Sequence, residues 1–465
     1  MSTSPSVPSA PPVPSPRSDL RLAWQLTRGS DRREWWRIML TATGAALATG
    51  FALAAGILLS LGNGSYGVSV AEGLLDAPGT RAGVVFGLLL LLIPVLGFLG
   101  QCARVGAVHR DRRLAGLRLA GATPWQVRRI AALETGLACL LGSAVATVFS
   151  VLLLLRLWDR PTVLTWVAVV LVAVAVPVLG AVASVLALRR VVASPLGRVR
   201  RVTGVRSARG PGRLFLGSAA LVTAVGVLTA VSANGPPGRA DWQKPLTFFA
   251  ALLAVGAGAV WLAGASSRFV GRVLAVRARS AAVLIAAERL RADPWAPART
   301  HAAVLLVTVV GTAFMGVRHS MLASLREAEH LAADMSYYTT GLNLTATAIT
   351  VALLITLSGL AVGTAESLAT RRRGLSAQVA AGVPRSVLNR ALLLETALPL
   401  APALLLAGLG GMAAGTAYGT LTATPSLPWA ALLVPPTAYT ACLLASATAL
   451  PLLHRSTHPA ELRYA

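Results

Sequence analysis

Long apolar stretches alternate with short basic stretches along most of this chain. Runs of about 20 apolar residues are typical of membrane-spanning helices, and the pattern predicts an all-α polytopic membrane protein of about ten spans. A Ser/Pro-rich start is predicted to be disordered. The spans are predicted near residues 38–61, 82–103, 130–155, 162–188, 214–233, 245–266, 301–317, 342–365, 391–418 and 428–453.

The charge distribution predicts the orientation of these spans. With the N-terminus inside, the outer loops hold seven basic residues and the cytoplasmic segments hold the other 35 of the 42. Because cytoplasmic loops are enriched in Lys and Arg, both termini are predicted to be cytoplasmic. The basic clusters lack interleaved aromatic residues and any zinc or helix-turn-helix motif, so no nucleic acid partner is expected. The outer loops, about 62–81 and 318–341, are too short to bury a core of their own.

A segment between the second and third predicted spans recurs 261 residues later. Arg112–Thr135 aligns without gaps with Arg373–Thr396. Six predicted spans separate the copies, so both lie on one membrane face, and the repeat is predicted to be parallel rather than inverted. The aligned pairs include Gly121 with Gly382, Arg129 with Arg390, and Glu134 with Glu395.

The first copy has the pattern of one helix that ends and another that begins. Gly121 suits the position just after a helix end. Thr123, Pro124 and Gln126 then match an N-cap, a proline in the first turn and a capping box. In the second copy Val383 has no side-chain oxygen for a cap, and a weaker or altered contact is expected there.

Both copies resemble the cytoplasmic signature of FtsX-like (MacB-type) ABC transporter permeases, in which a basic run leads through Leu-Arg-x-x-Gly-Ala-Ser/Thr to a Leu-Leu-Glu stretch. The second copy departs from it, with Val379 where the first has Arg118. The resemblance implies that both copies couple the permease to an ATPase. The implied coupling residues are Arg112, Arg113, Leu114, Leu117, Arg118, Gly121, Thr123 and Pro124 in the first copy, and Arg371, Arg372, Arg373, Leu375, Gly382 and Pro384 in the second.

The resemblance also implies two parallel four-helix FtsX-like units joined by an extra helix pair. The predicted organisation is an N-terminal disordered and amphipathic segment at 1–37, a first unit at 38–201 and a second unit at 300–465. Between the units, 202–299 is predicted to hold spans 5 and 6 and an amphipathic cytoplasmic helix within 278–297 that ends at Asp293-Pro294.

The chain has no P-loop, because the Walker A motif requires a lysine after glycine and the only lysine, Lys244, follows Gln243. No enzymatic site, metal or cofactor is therefore expected in this chain. The resemblance implies a bacterial plasma-membrane permease whose partners are a cytoplasmic ABC ATPase dimer, which would bind the ATP, and membrane lipid. With no large outer domain predicted, the expected substrate is an amphiphile such as a lipid, lipopeptide or antibiotic, which is exported or extracted by mechanotransmission.

Two alternatives stay open at this stage. Glu134 and Glu395 fall at membrane boundaries, where a carboxylate either pairs with a neighbouring arginine or has a proton or substrate role. The chain as a whole is either an ABC permease or an ATP-independent membrane protein, namely a secondary transporter or an FtsX-like scaffold for an envelope enzyme. The nearly charge-free span interiors disfavour a secondary transporter.

Overall fold

The chain folds into a bundle of long helices. The computed structural model describes residues 32–61, 75, 78–102, 116, 119, 121–158, 161–193, 243–327, 330, 334–421 and 428–451. In chain order its helices are α1 (Arg32–Ser60), α2 (Pro78–Cys102), α3 (Pro124–Leu157), α4 (Val163–Ala193), α5 (Gln243–Arg277), α6 (Ala281–Ala292), α7 (Ala296–Glu327), α8 (Met335–Thr370), α9 (Arg372–Ala380), α10 (Arg385–Leu421) and α11 (Val434–Ala447), with a short 3₁₀ helix at Trp429–Leu433 before α11.

Helices α1–α4 form one unit, and α7, α8, α10 and α11 repeat its arrangement. In each unit the third long helix packs along the first, so that α3 lies on α1 and α10 lies on α7. Glycines permit this close approach. A Cβ at Gly142 would overlap the carbonyl oxygen of Ala42, and one at Gly415 would lie 3.0 Å from Cα of Gly316.

The linker helices belong with the second unit. α5 packs mainly on α7 and α10, and α6 packs on α5 and α10. The predicted amphipathic helix is confirmed as α6, which ends at Asp293. Its buried residues, Ala282, Ala286, Ala287 and Leu290, recur at helical spacing and so lie on one face.

The two units meet through α2 and α8, which run side by side in the same direction. Phe98 faces Gly359, and Gln101 faces Gly363, close to the C-terminal ends of both helices. Gly44, near the middle of α1, also faces Leu99 of α2. α2 and α8 therefore end, and α3 and α10 begin, at one end of the bundle, which we call the turn end. The parallel repeat predicted from the sequence is confirmed.

The surface of the bundle is that of a membrane protein. Large apolar side chains such as Phe149 of α3 and Leu171 of α4 are exposed, an arrangement that is unfavourable in water but suits contact with lipid. Nine helices in the described part of the chain are long and apolar enough to cross a membrane. The predicted span at 214–233 lies outside the described residues.

The helices extend beyond the apolar runs that predicted them. α10 has 37 residues, or roughly 55 Å at ~1.5 Å per residue, against a hydrocarbon core of about 30 Å. Helical structure also fills most of the predicted outer loop at 318–341, because α7 continues to Glu327 and α8 starts at Met335. Arg318 donates a hydrogen bond to Asn343 of α8. Most of this segment is therefore helix rather than irregular loop.

Candidate functional site: two glycine turns and their ion pairs

The first glycine turn has the capped geometry that its sequence predicts. Gly121 has φ +98°, in the left-handed region that glycine adopts without strain. The Thr123 hydroxyl accepts a hydrogen bond from the backbone N–H of Gln126 at 3.3 Å, and the Gln126 side chain accepts one from the N–H of Thr123 at 2.8 Å. Pro124 occupies the first helical position. The predicted capping box is confirmed, and it fixes the direction in which α3 leaves the turn.

The second glycine turn reaches the same backbone shape without a side-chain cap. Gly382 has φ +89°. Its N–H donates to Val379 O, and the N–H of Val383 donates to Gln378 O, each at 3.0 Å. This pair of bonds is the Schellman pattern, which satisfies the last carbonyls of α9. Pro384 stands where the first turn has Thr123, and it can accept through its carbonyl alone.

The two turns share the register of the sequence repeat. The offset of 261 residues superimposes Gly121 on Gly382 and the start of α3 on the start of α10. It also pairs Val127 with Leu388, which are both fully buried. The likeness of the two copies therefore extends from sequence to backbone conformation and burial.

Glu134 forms a buried ion pair in the first unit. Arg37 of α1 donates to its carboxylate, and both side chains are more than nine-tenths buried. The pair joins α1 to α3 about three helical turns beyond the Thr123 cap. Of the two roles considered for this residue, ion pairing with an arginine across a helix interface is confirmed.

Glu395 occupies the aligned place in the second unit but has different partners. Arg371, the residue between α8 and α9, donates to its two carboxylate oxygens at 2.8 and 3.2 Å. Arg289 of α6 donates to it at 3.2 Å. This carboxylate therefore ties together α10, α6 and the start of α9, and here too the ion-pair interpretation is confirmed.

Sequence reasoning missed two of the arginine partners, Arg37 and Arg289. They lie 97 and 106 residues from their carboxylates along the chain, so no local pattern connects them. For Arg289, the available sequence signal was that the amphipathic stretch at 281–292 contains basic residues. That signal does not identify the carboxylate with which they pair.

The remaining coupling residues differ in how far the structure describes them. Leu375 is buried, and Arg372 donates from Nε to the carbonyl of Ala369 at 3.1 Å. Pro124 and Arg373 are described as backbone positions. Arg112, Arg113, Leu114, Leu117 and Arg118 lie outside the described residues.

A cavity of about 270 Å³ lies between the two units near the turn end. Helices α2, α5, α7 and α8 line it, and most of its wall is apolar. Gln101, Arg299 and Thr300 contribute polar groups toward the turn end, while Thr356 lies deeper. Away from the turn end, the Phe86 and Phe249 rings contact each other with centroids 5.6 Å apart and so join α2 to α5. The mostly apolar wall of the cavity, with its polar groups near the turn end, suits an apolar chain with a polar end.

These features define a class of protein: a multi-pass helical membrane protein of two parallel units, each with a glycine turn at the same end. Residues 84–196, which include α3 with its capped turn, match the family model described as FtsX-like permease C-terminal. This part of the chain thus matches an FtsX-like permease domain, as the signature predicted, and the match supports a membrane permease component of an ABC-type system. Comparison with curated proteins and with solved structures gives no match.

Proposed function

We propose that this chain couples ATP hydrolysis on a separate ATPase dimer to export or extraction of an amphiphile from a bacterial plasma membrane. The observation that carries the proposal is the pair of glycine turns at one end of the bundle, each joined to neighbouring helices by a glutamate–arginine pair. Force applied to such a turn is passed on as movement of whole helices, since backbone bonds and ion pairs leave the turn little freedom to deform separately.

The cavity between the units supports an amphiphile as the substrate class. Its apolar wall favours a hydrocarbon chain, and the arginine, glutamine and threonine near the turn end favour a polar or anionic group. At about 270 Å³ it is slightly below the usual range of small-molecule pockets, about 300–1,000 Å³, so part of a lipid-like molecule fits and a folded polypeptide does not. Because the cavity lies between α2 and α8, movement of one unit against the other changes its volume.

The orientation belongs to the same proposal. The turn end faces the cytoplasm, since the basic residues concentrate in the segments that this orientation places inside. Both chain termini are then cytoplasmic, and the short 3₁₀ helix before α11 lies on the outer side.

Co-purification tests this function. The chain is co-expressed with the ABC ATPase encoded beside its gene and purified in mild detergent, as wild type and as the double variant Gly121→Pro/Gly382→Pro. Proline is confined to φ near −65°, so it cannot form either turn. We expect the ATPase to be retained with wild type and lost with the double variant at equal permease yield. Gly258→Ala is the control, because a Cβ there meets nothing within 4 Å.

The same preparation tests the amphiphile class. Native mass spectrometry should detect retained lipid in the wild type and less of it in Thr356→Trp, whose indole fills the cavity, with ATPase retention unchanged. If no ATPase is recovered with the wild type, the ATP-independent alternatives replace the present proposal. If the double variant keeps its ATPase, the turns are not the coupling site. Equal lipid retention by wild type and Thr356→Trp rules out the cavity.

A further inference from the structure

We infer that the two coupling segments are unequal, with the first docking an ATPase subunit through exposed apolar side chains and the second held against the permease itself. The inference rests on the proposed function, because it divides the work of that site between its two copies. The partner surface that fits the first segment is an apolar groove with an acidic rim on an ATPase subunit.

The first observation is a difference in exposed apolar surface at aligned positions. Leu119 and Trp125 flank the Gly121 turn and are 69% and 66% exposed. The 261-residue offset places Ala380 and Ser386 at these positions in the second copy, and both are exposed as well. The first turn therefore presents two large apolar side chains where the second presents a methyl group and a hydroxyl. Large exposed apolar residues close together in a fold are typical of interaction sites, and Trp is enriched at binding hot spots.

The second observation is that the apolar residues of α9 are already used. Leu375 is buried in a cluster with Leu368 of α8, Leu388 of α10 and Ala449, and Ile285 of α6 packs against it. Val379 also packs against this cluster. The apolar side of α9 thus faces its own chain, and a partner protein cannot bind it without opening the cluster.

The third observation is a difference in the number of arginines between the two copies. The sequence of the first segment has arginines at 110, 112, 113 and 118, which align with Arg371, Arg373, Gly374 and Val379. Arg371 is committed to the carboxylate of Glu395. Within the aligned repeat, Arg112–Thr135 has five arginines and Arg373–Thr396 has three. The arginines that precede Leu119 in the sequence favour a partner with carboxylates around an apolar groove.

The alternative for Trp125 is an anchor at the lipid headgroups, where tryptophan is common. That role explains one exposed residue. It does not explain why Leu119 is exposed as well, while the aligned positions of the second copy hold the small residues Ala380 and Ser386. Docking of a protein partner on the first copy accounts for this difference.

The test places the same charge on aligned exposed positions of the two copies. Leu119→Asp/Trp125→Asp is compared with Ala380→Asp/Ser386→Asp in the ATPase co-purification, with permease yield and elution volume as controls of folding. We expect the first variant to lower ATPase retention about tenfold or more, as loss of an apolar hot spot does. The second variant should change retention less than about twofold. Leu119→Ala/Trp125→Ala, which adds no charge, should fall between wild type and the first variant.

The possible outcomes distinguish failure of this inference from failure of the proposed function on which it rests. Wild type without bound ATPase contradicts the proposed function itself. If both Asp variants weaken ATPase binding equally, the proposed function stands, but the inference that the two coupling segments are unequal is overturned. Retention unchanged in Leu119→Asp/Trp125→Asp, at normal yield, overturns docking by the first segment and leaves Trp125 as a lipid anchor.

Discussion

At the scale of single residues, the aligned carboxylates of Glu134 and Glu395 have different surroundings. Glu134 and Arg37 are almost fully shielded, whereas Glu395 shares its charge with Arg371 and Arg289 in a site that solvent partly reaches. A charge that loses its partner in a buried site keeps the full cost of desolvation, while a partly exposed one regains water. The two glutamates therefore differ in what their removal does.

We expect Glu134→Gln to lower the free energy of unfolding by about 3–5 kcal/mol, because it leaves Arg37 buried with an uncompensated charge. Glu395→Gln should cost less, since its arginines are more exposed and each has access to solvent. Thermal unfolding of the purified variants in one detergent measures the difference. A Glu134→Leu/Arg37→Met double variant removes both charges and should recover part of the loss. A larger loss for Glu395→Gln than for Glu134→Gln contradicts this account.

At the scale of helices, small residues set how closely the spans approach. The contact of α1 with α3 includes backbone atoms of Ala42 against Gly142, and α7 approaches α10 at Gly316 and Gly415. Close backbone approach through small residues drives helix association in membranes, where the hydrophobic effect offers little between apolar surfaces. A single added carbon at such a point separates the two helices along much of their length.

Gly142→Ala and Gly50→Ala should differ in their effect on the stability of the protein in detergent. The first places a Cβ against the backbone of α1, and the second places one where nothing lies within 4 Å. We expect Gly142→Ala to lower the temperature at which the protein aggregates in detergent. Gly50→Ala should leave it equal or raise it, since alanine favours a helix over glycine by up to about 1 kcal/mol. Fluorescence-detected size exclusion after heating gives both values. Equal behaviour of the two variants indicates that this packing contact does not determine stability.

Sequence patterns predicted the helical elements better than their partners. Apolar runs located the nine described spans, and Thr123 with Gln126 predicted the capping box, because both signals lie within a few residues. The ends of α7 and α8 were missed, since polar residues continue a helix outside the hydrocarbon without any change of periodicity. The partners of Glu134 and Glu395 could not be predicted from the sequence, because helix packing rather than proximity along the chain brings Arg37 and Arg289 to them.

At the scale of the whole molecule, the parallel placement of the units determines which surfaces face the same compartment. α2 and α8 end together and α3 and α10 begin there, so both turns lie on one side of the membrane. Residue 330, which follows α7, lies at the opposite end of the bundle. The positive-inside rule adds that the turn side is cytoplasmic.

Cysteine labelling should reveal this sidedness. In a variant with Cys102, Cys139 and Cys442 replaced by alanine, all three being buried, single cysteines are introduced at Leu119, Ser386 and His330, which are exposed. A membrane-impermeant maleimide should label position 330 in intact cells, and positions 119 and 386 only in inverted vesicles. Labelling of 119 and 386 from opposite faces contradicts the parallel repeat. Labelling of both from outside reverses the proposed orientation alone.

The presence of both units on one polypeptide has a genetic consequence. In a permease made of two identical chains, any mutation appears twice, so a substitution that weakens one turn weakens both. In this chain a substitution changes only one of the two turns, so selection acts on each turn separately. The difference between Thr123 in one turn and Pro384 at the aligned position of the other is the kind of divergence that duplication followed by fusion permits.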